Sequence, residues 1–265
     1  MHKNWSSSAA IVLIAALLIV QLFIPALQAQ NISESDVPGL LERAEELKQS
    51  ADEPAARELY EQVIEYDTLN FEALWNLSLL YSKEGHRLED QNEMESYYRD
   101  AKELAETAVE YYPDESESHY VYAVAVGRLS DISTPRERIR ASEEIKESVE
   151  RALELNPGHA GAWHLLGIWH SRAANLTRAE RWAANLLFGG APEGASNDEA
   201  ENNLKKAIEL DPDNILFHVD LARFYITVGR YDEAGDILEL TINLEPSEMD
   251  DPDLLEEAKE LLDDL

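Results

Sequence analysis

Along the chain, apolar helical segments close on a proline at a fixed place, and this recurrence constrains the fold more than any other feature. The stretches AETAVEYYPDE, VERALELNPGH, LKKAIELDPDN and LELTINLEPSE share the ending. The segment FEALWNLSLLYSKEG (Phe71–Gly85) has the spacing of a first helix in the same kind of unit. Setting the proline at position 32 of a 34-residue repeat brings Pro113, Pro157, Pro212 and Pro246 into register, with Thr68 in the first unit. Ala44, Ser78, Ala123, Gly167 and Ala222 then all fall at position 8, where only a small side chain lets two helices approach. Five registered units of two helices each predict a solenoid, because one pair cannot bury its apolar face without a neighbour.

The fold class is therefore all-α: a right-handed tetratricopeptide-repeat solenoid of about five helix pairs. A linker at 30–36 leads into repeats near 37–70, 71–115, 116–159, 160–214 and 215–248, so the solenoid runs over 37–249. The second, third and fourth repeats exceed the standard length by about 11, 10 and 21 residues, which are expected to be helical. Thr134-Pro135-Arg136-Glu137 is a capping box with proline at the first helical position, and Thr177–Glu180 and Ser196–Glu199 repeat the logic. An extra helix is predicted from about Arg178 to Phe188, stopped by Gly189-Gly190 and Pro192. Trp163, Trp169 and Trp182 are expected to pack it against its repeat. At the end, Leu254, Leu255, Ala258, Leu261, Leu262 and Leu265 recur at helical spacing, so residues 250–265 read as a capping helix. Its Asp250, Asp251, Glu256, Glu257 and Asp263 are expected to face water.

The first thirty residues read as an address. Lys3 precedes a sixteen-residue apolar run, Ala9–Ile24, closed by Pro25, and Ala29 offers a small residue before a cut. Such a run is shorter than the roughly 20 residues a spanning helix needs. The expectation is a signal peptide at 1–29, an exported chain, periplasmic or secreted, and no membrane insertion after cleavage. An uncleaved anchor through 9–24 is the alternative. The chain has no cysteine, which excludes lipoprotein processing, disulfides, thiolate metal sites and thiol nucleophiles.

The formal charge of −32, from 22 basic and 54 acidic residues, excludes general binding to nucleic acid, whose phosphates demand positive patches. It also fits a surface hydrated in a saline exterior. The Gly189–Gly194 run lacks the Lys-Ser/Thr ending of a phosphate loop and follows a helix. His159, His164 and His170 are spaced by five and six, whereas two helical ligands need three or four. Carboxylate pairs such as Glu143-Glu144 fall on solvated faces. No enzyme, metal or cofactor is expected; an envelope-processing enzyme stands as an alternative only where a carboxylate is buried in an apolar pocket.

One pattern rises above this background. In such solenoids the first helices line the concave groove, and position 13 reads Lys83, Arg128 and Arg172 in three successive repeats. In the fifth, Arg223 stands one turn earlier. Position 5 adds Trp75, Tyr120 and His164. A ladder of cations on an aromatic floor suits an extended peptide or protein segment rich in carboxylates. The competing reading is that these cations neutralise neighbouring Glu side chains.

The block Trp163–Trp169, the run RWAANLLFG at 181–189, Pro192 and the stretch to Asp211-Pro212 resemble the regulator of microtubule dynamics family, as does Tyr122–Pro157. The resemblance spans roughly residues 70–245. It implies an all-helical scaffold without enzymatic activity, whose animal members associate with microtubules and in some cases sit on mitochondrial or endoplasmic-reticulum membranes. Export would separate this chain from tubulin, and its anionic surface would be repelled by acidic filaments, so a peptide-binding scaffold and a microtubule-associated adaptor both stand as readings.

Overall fold

A computed structural model describes residues 32–188, 190 and 194–265. The expected signal peptide at 1–29, Gly189 and Pro192 of the predicted stop, and the Glu180 side chain of the second predicted capping box lie outside what is described. The chain divides at residue 34, and Ser35–Leu265 forms one compact unit.

Among the described residues there are twelve helices and no strand. They are α1 (Val37–Gln49), α2 (Glu53–Tyr66), α3 (Phe71–Arg87), α4 (Gln91–Tyr111), α5 (Ser116–Asp131) and α6 (Pro135–Leu155). Then follow α7 (Ala160–Ala174), α8 (Arg178–Phe188), α9 (Asn197–Leu210), α10 (Ile215–Thr227), α11 (Tyr231–Thr241) and α12 (Asp251–Asp263). Five antiparallel pairs result: α1/α2, α3/α4, α5/α6, α7/α9 and α10/α11, with α12 covering the last. In the second and third repeats the extra residues lengthen the paired helices, α4 and α6 reaching 21 residues each. In the fourth they form α8.

Local chemistry sets the helix ends. Tyr112, Asn156 and Asp211 leave the helical region, with ψ of 57°, 91° and 82°, because each precedes a proline whose ring forbids that region. Asn70, Asp90, Thr134, Ser196 and Asn214 accept the orphan backbone N–H groups of the next helix start. Thr134 and Glu137 complete a reciprocal capping box.

The small residues at position 8 are buried without exception. Ser78 donates its hydroxyl to the Ala101 carbonyl of α4 at 2.8 Å. At Gly167, a Cβ would lie 2.7 Å from Leu204 Cγ and 3.0 Å from the Leu204 backbone nitrogen, so α7 meets α9 only because that side chain is absent. Burial proceeds in local clusters, each joining neighbouring helices. One gathers Ala56, Tyr60, Val63 and Leu77; another Val149, Ala152, Leu166 and Trp169; a third Leu204, Leu221 and Phe224. This is the pattern of a solenoid, where each repeat leans on its neighbours.

Two expectations fail. Trp182 does not pack α8 inward; it is 68% exposed, and among the described residues of α8 the buried one is Ala184. Residues two positions apart on a helix lie about 200° from each other around its axis, so burying Ala184 turns Trp182 outward. Trp169 instead ties α7 to α6, donating to the Ser142 carbonyl at 2.8 Å, and Trp163 donates to the Pro157 carbonyl. The second failure lies in the cap. Asp251 is 4% exposed, and Asp250 and Glu257 are held in ion pairs instead of facing water.

Candidate functional site: the inner face

The first helices α3, α5, α7 and α10 carry the predicted groove residues, and the structure gives each a distinct setting. Lys83, near the end of α3, pairs with Glu53 of α2 at 2.8 Å and with Glu248 of the α11–α12 turn. Arg87, one turn further, pairs with the other Glu53 oxygen and forks onto both oxygens of Asp250. Burial would lower the Lys83 and Arg87 pKa values, but the surrounding carboxylates outweigh it and raise both. Glu53 is only 4% exposed. Each of its oxygens is held by a different cation.

Arg223 of α10 pairs with Asp220 at 2.6 Å and with Glu257 of α12. Asp220 also bonds His164 Nε2 at 2.8 Å, and His164 stacks on Phe217 with ring centroids 4.6 Å apart. Burial alone would raise the Asp220 pKa; His164 and Arg223 overcome it and hold the carboxyl below its usual range. Arg172 is largely exposed and pairs with Asp131 of α5 at 3.0 Å. Trp75 lies two turns from Lys83, beneath the Lys48 ammonium at 5.0 Å.

Arg128 differs from the other three. Among the described residues, no carboxylate oxygen lies within 4 Å of its guanidinium, although it is half-buried on α5. Tyr120, two turns earlier, packs on His159 with centroids 4.4 Å apart. Its ring fills the space beside Gly161, where a Cβ would meet the phenol at 2.8 Å. Burial raises the Tyr120 pKa, and its phenol lies in the field of Lys83, Glu248 and Arg128 together. His86 of α3 is lowered in pKa by desolvation first and by the Arg128 charge next. Lys83, His86, Arg87, Tyr120 and Arg128 therefore form one neighbourhood, and among the described residues Arg128 is its cation without an ion pair.

Reasoning from sequence missed the carboxylates that complete this face: Glu53, Asp220, Glu248, Asp250 and Glu257. For Glu53 a signal existed. It lies on the stripe Glu53, Ala56, Tyr60, Val63, whose other members are fully buried, and a carboxylate there must find a cation. Among the described residues no group of three or more His, Asp and Glu side chains could hold a metal, and no helix is long and apolar enough to cross a membrane.

Five stacked helix pairs with a polar, aromatic-bearing inner face define a tetratricopeptide-repeat solenoid. A solved structure of a thermophilic TPR protein from Thermus thermophilus has the same fold, with a TM-score of 0.61 and 22% identity over 84% of this chain and 98% of that one. The family described as Regulator of microtubule dynamics protein 1-3 matches residues 40–265, and the chain belongs to that family. Regulator of microtubule dynamics protein 3 of Bos taurus is 29% identical over 232 residues, covering 86% of this chain and 49% of the relative. The protein of the same name from Xenopus laevis is 30% identical over 227 residues, covering 84% and 49%. The chain thus spans about half the length of these relatives.

Proposed function

We propose that the protein is a non-catalytic scaffold, exported from the cytoplasm, that holds an extended carboxylate-bearing peptide or protein segment on the inner face of its solenoid. The observation that carries this reading is the unpaired Arg128. In a chain of net charge −32 with 54 acidic residues, a half-buried arginine with no carboxylate within 4 Å among the described residues is conspicuous. A fork of N–H donors left open toward a groove binds a planar anion in bidentate fashion. Stacked helices keep Arg128 and Tyr120 in place before the ligand arrives, so little ordering entropy is lost on binding. Arg172, exposed and held by a solvent-facing Asp131, is the second contact, because such a pair costs little to exchange.

The test is charge reversal. Arg128→Glu with Arg172→Glu should abolish capture of acidic peptides from a synthetic array while the circular dichroism melt stays that of the wild type. Undiminished capture by the folded variant would remove the inner face from the reading. Export rests on the apolar run Ala9–Ile24 and the small residue Ala29; a mature mass beginning at Gln30 is the expected result.

Family membership favours a second reading, a microtubule-associated adaptor, since the relatives are named as regulators of microtubule dynamics. In that case residues 9–24 stay attached as an anchor with the solenoid in the cytosol. Co-sedimentation with polymerised tubulin at physiological salt separates the two, because an exported acidic scaffold stays in the supernatant.

A further inference from the structure

The turn between α11 and α12 is built to present carboxylates. Buried Asp251 accepts the backbone N–H groups of Ser247 and Glu248, each at 2.7 Å, which fixes the turn at the head of α12. That helix is pinned in turn through Leu254, Leu255 and Ala258 to the α10–α11 core. From this platform Glu248 reaches the Lys83 ammonium at 2.5 Å, across 165 residues of chain. Asp250, two residues on, places its oxygens 2.5 and 2.8 Å from Arg87 Nε and Nη2. Two acidic side chains at alternate positions thus sit on two cations one helical turn apart.

These contacts differ in kind from that of Glu53. The Glu248 and Asp250 side chains are 49% and 36% exposed, against 6% for Glu53. Glu53 is the structural partner behind the two cations, while Glu248 and Asp250 cover them from the solvent side, where ion pairs exchange easily. Arg128 adjoins this end of the face and has no such cover.

We infer that Ser247–Asp253 is a built-in stand-in for the ligand, and that the partner is a protein segment with acidic side chains at alternate positions that displaces Glu248 and Asp250 as it engages Arg128. This rests on the inner-face reading given above. A tethered competitor acts at an effective concentration of about 1 mM, so a site of intrinsic Kd about 10 μM presents itself roughly 100-fold weaker until the tether yields. The device sets a threshold: a segment with one carboxylate cannot replace both contacts, whereas one with two at the right spacing can.

The probe is a fluorescein-labelled peptide of the chain's own sequence Leu244–Asp253, followed by anisotropy against the full chain and its Glu248→Gln/Asp250→Asn variant. The variant should bind at least about tenfold more tightly than the wild type. Equal affinities would overturn self-occupancy and leave the inner-face reading standing. Absence of binding by either protein up to about 1 mM peptide would overturn both. A readout that keeps every ion pair intact uses an environment-sensitive dye at Met249→Cys, an exposed site in the turn. Saturating peptide should shift its emission, and constant emission with peptide bound contradicts displacement.

Discussion

Helices α3 and α5 occupy the same stage of successive repeats and carry a basic residue at the same place, yet they are organised in opposite ways. On α3, Lys83 and Arg87 close over a buried carboxylate and are tied to the far end of the chain. A Cβ at Gly85 would strike the Tyr98 ring at 2.7 Å, and Tyr98 is itself buried. On α5, Arg128 has no carboxylate partner among the described residues, and a Cβ at neighbouring Gly127 would meet nothing nearer than Ile145 at 3.9 Å. One helix is a clasp and the other has room. Repetition of a residue type at one repeat position therefore does not repeat its role; the neighbours from other helices decide it.

The largest effect should come from removing the clasp's centre. Glu53→Ala leaves two half-buried cations with only their solvent-side partners and should cost about 2–3 kcal/mol, measured by urea unfolding. A loss below about 0.5 kcal/mol would mean that α3 is no more tied down than α5. Next come the paired glycines. Gly85→Ala should destabilise by about 1–2 kcal/mol, since overpacking against a fixed ring exceeds the helix-propensity gain. Gly127→Ala should instead stabilise by about 0.5–1 kcal/mol, and the opposite signs in the same melting experiment are the sharpest form of the contrast.

Acid should loosen the charged contacts late. Burial tends to raise the Asp250 pKa, but Arg87 and Lys83 prevail and hold it below 3.8. In the fourth and fifth repeats, hydrogen bonds led by Arg230 lower Glu201 to about 2. A carboxylate with a depressed folded pKa adds stability that is full above its unfolded value and is lost as pH falls through the folded one. Stability from these two groups should hold from neutrality down to about pH 4.5 and then fall toward pH 2. The smallest effect concerns His86. Arg128→Met should raise its imidazole pKa by removing the repulsion, with the desolvation contribution left in place, as read by NMR titration; an unchanged value would mean Arg128 is already neutralised.

Much of the fold was legible because prolines and small residues act locally. Pro113, Pro157 and Pro212 end helices through the residue before them, and position 8 is small wherever two helices touch. The inner face was legible only by half. Periodicity shows which side of α3 Lys83 occupies, but Glu248 comes from 165 residues away, and no local pattern encodes that return. Asp251 and Glu53 were readable in principle, since each lies on an otherwise apolar stripe of its own helix; the abundance of carboxylates hid them. Trp182 misled for the opposite reason, a large aromatic being expected inside while the helix phase set by Ala184 turned it out.

Arg128 stands open for a ligand, while Arg87 is occupied in the free protein by the chain's own Glu53 and Asp250. The most direct measurement is proton exchange at the arginine Nε–H groups by heteronuclear NMR, without and with the Leu244–Asp253 peptide. Exchange should be slow at Arg87 and fast at Arg128 in the free protein, with Arg128 becoming protected as peptide is added. Protection of Arg128 in the free protein, or exchange that stays fast at saturation, would contradict an Arg128 open for a ligand.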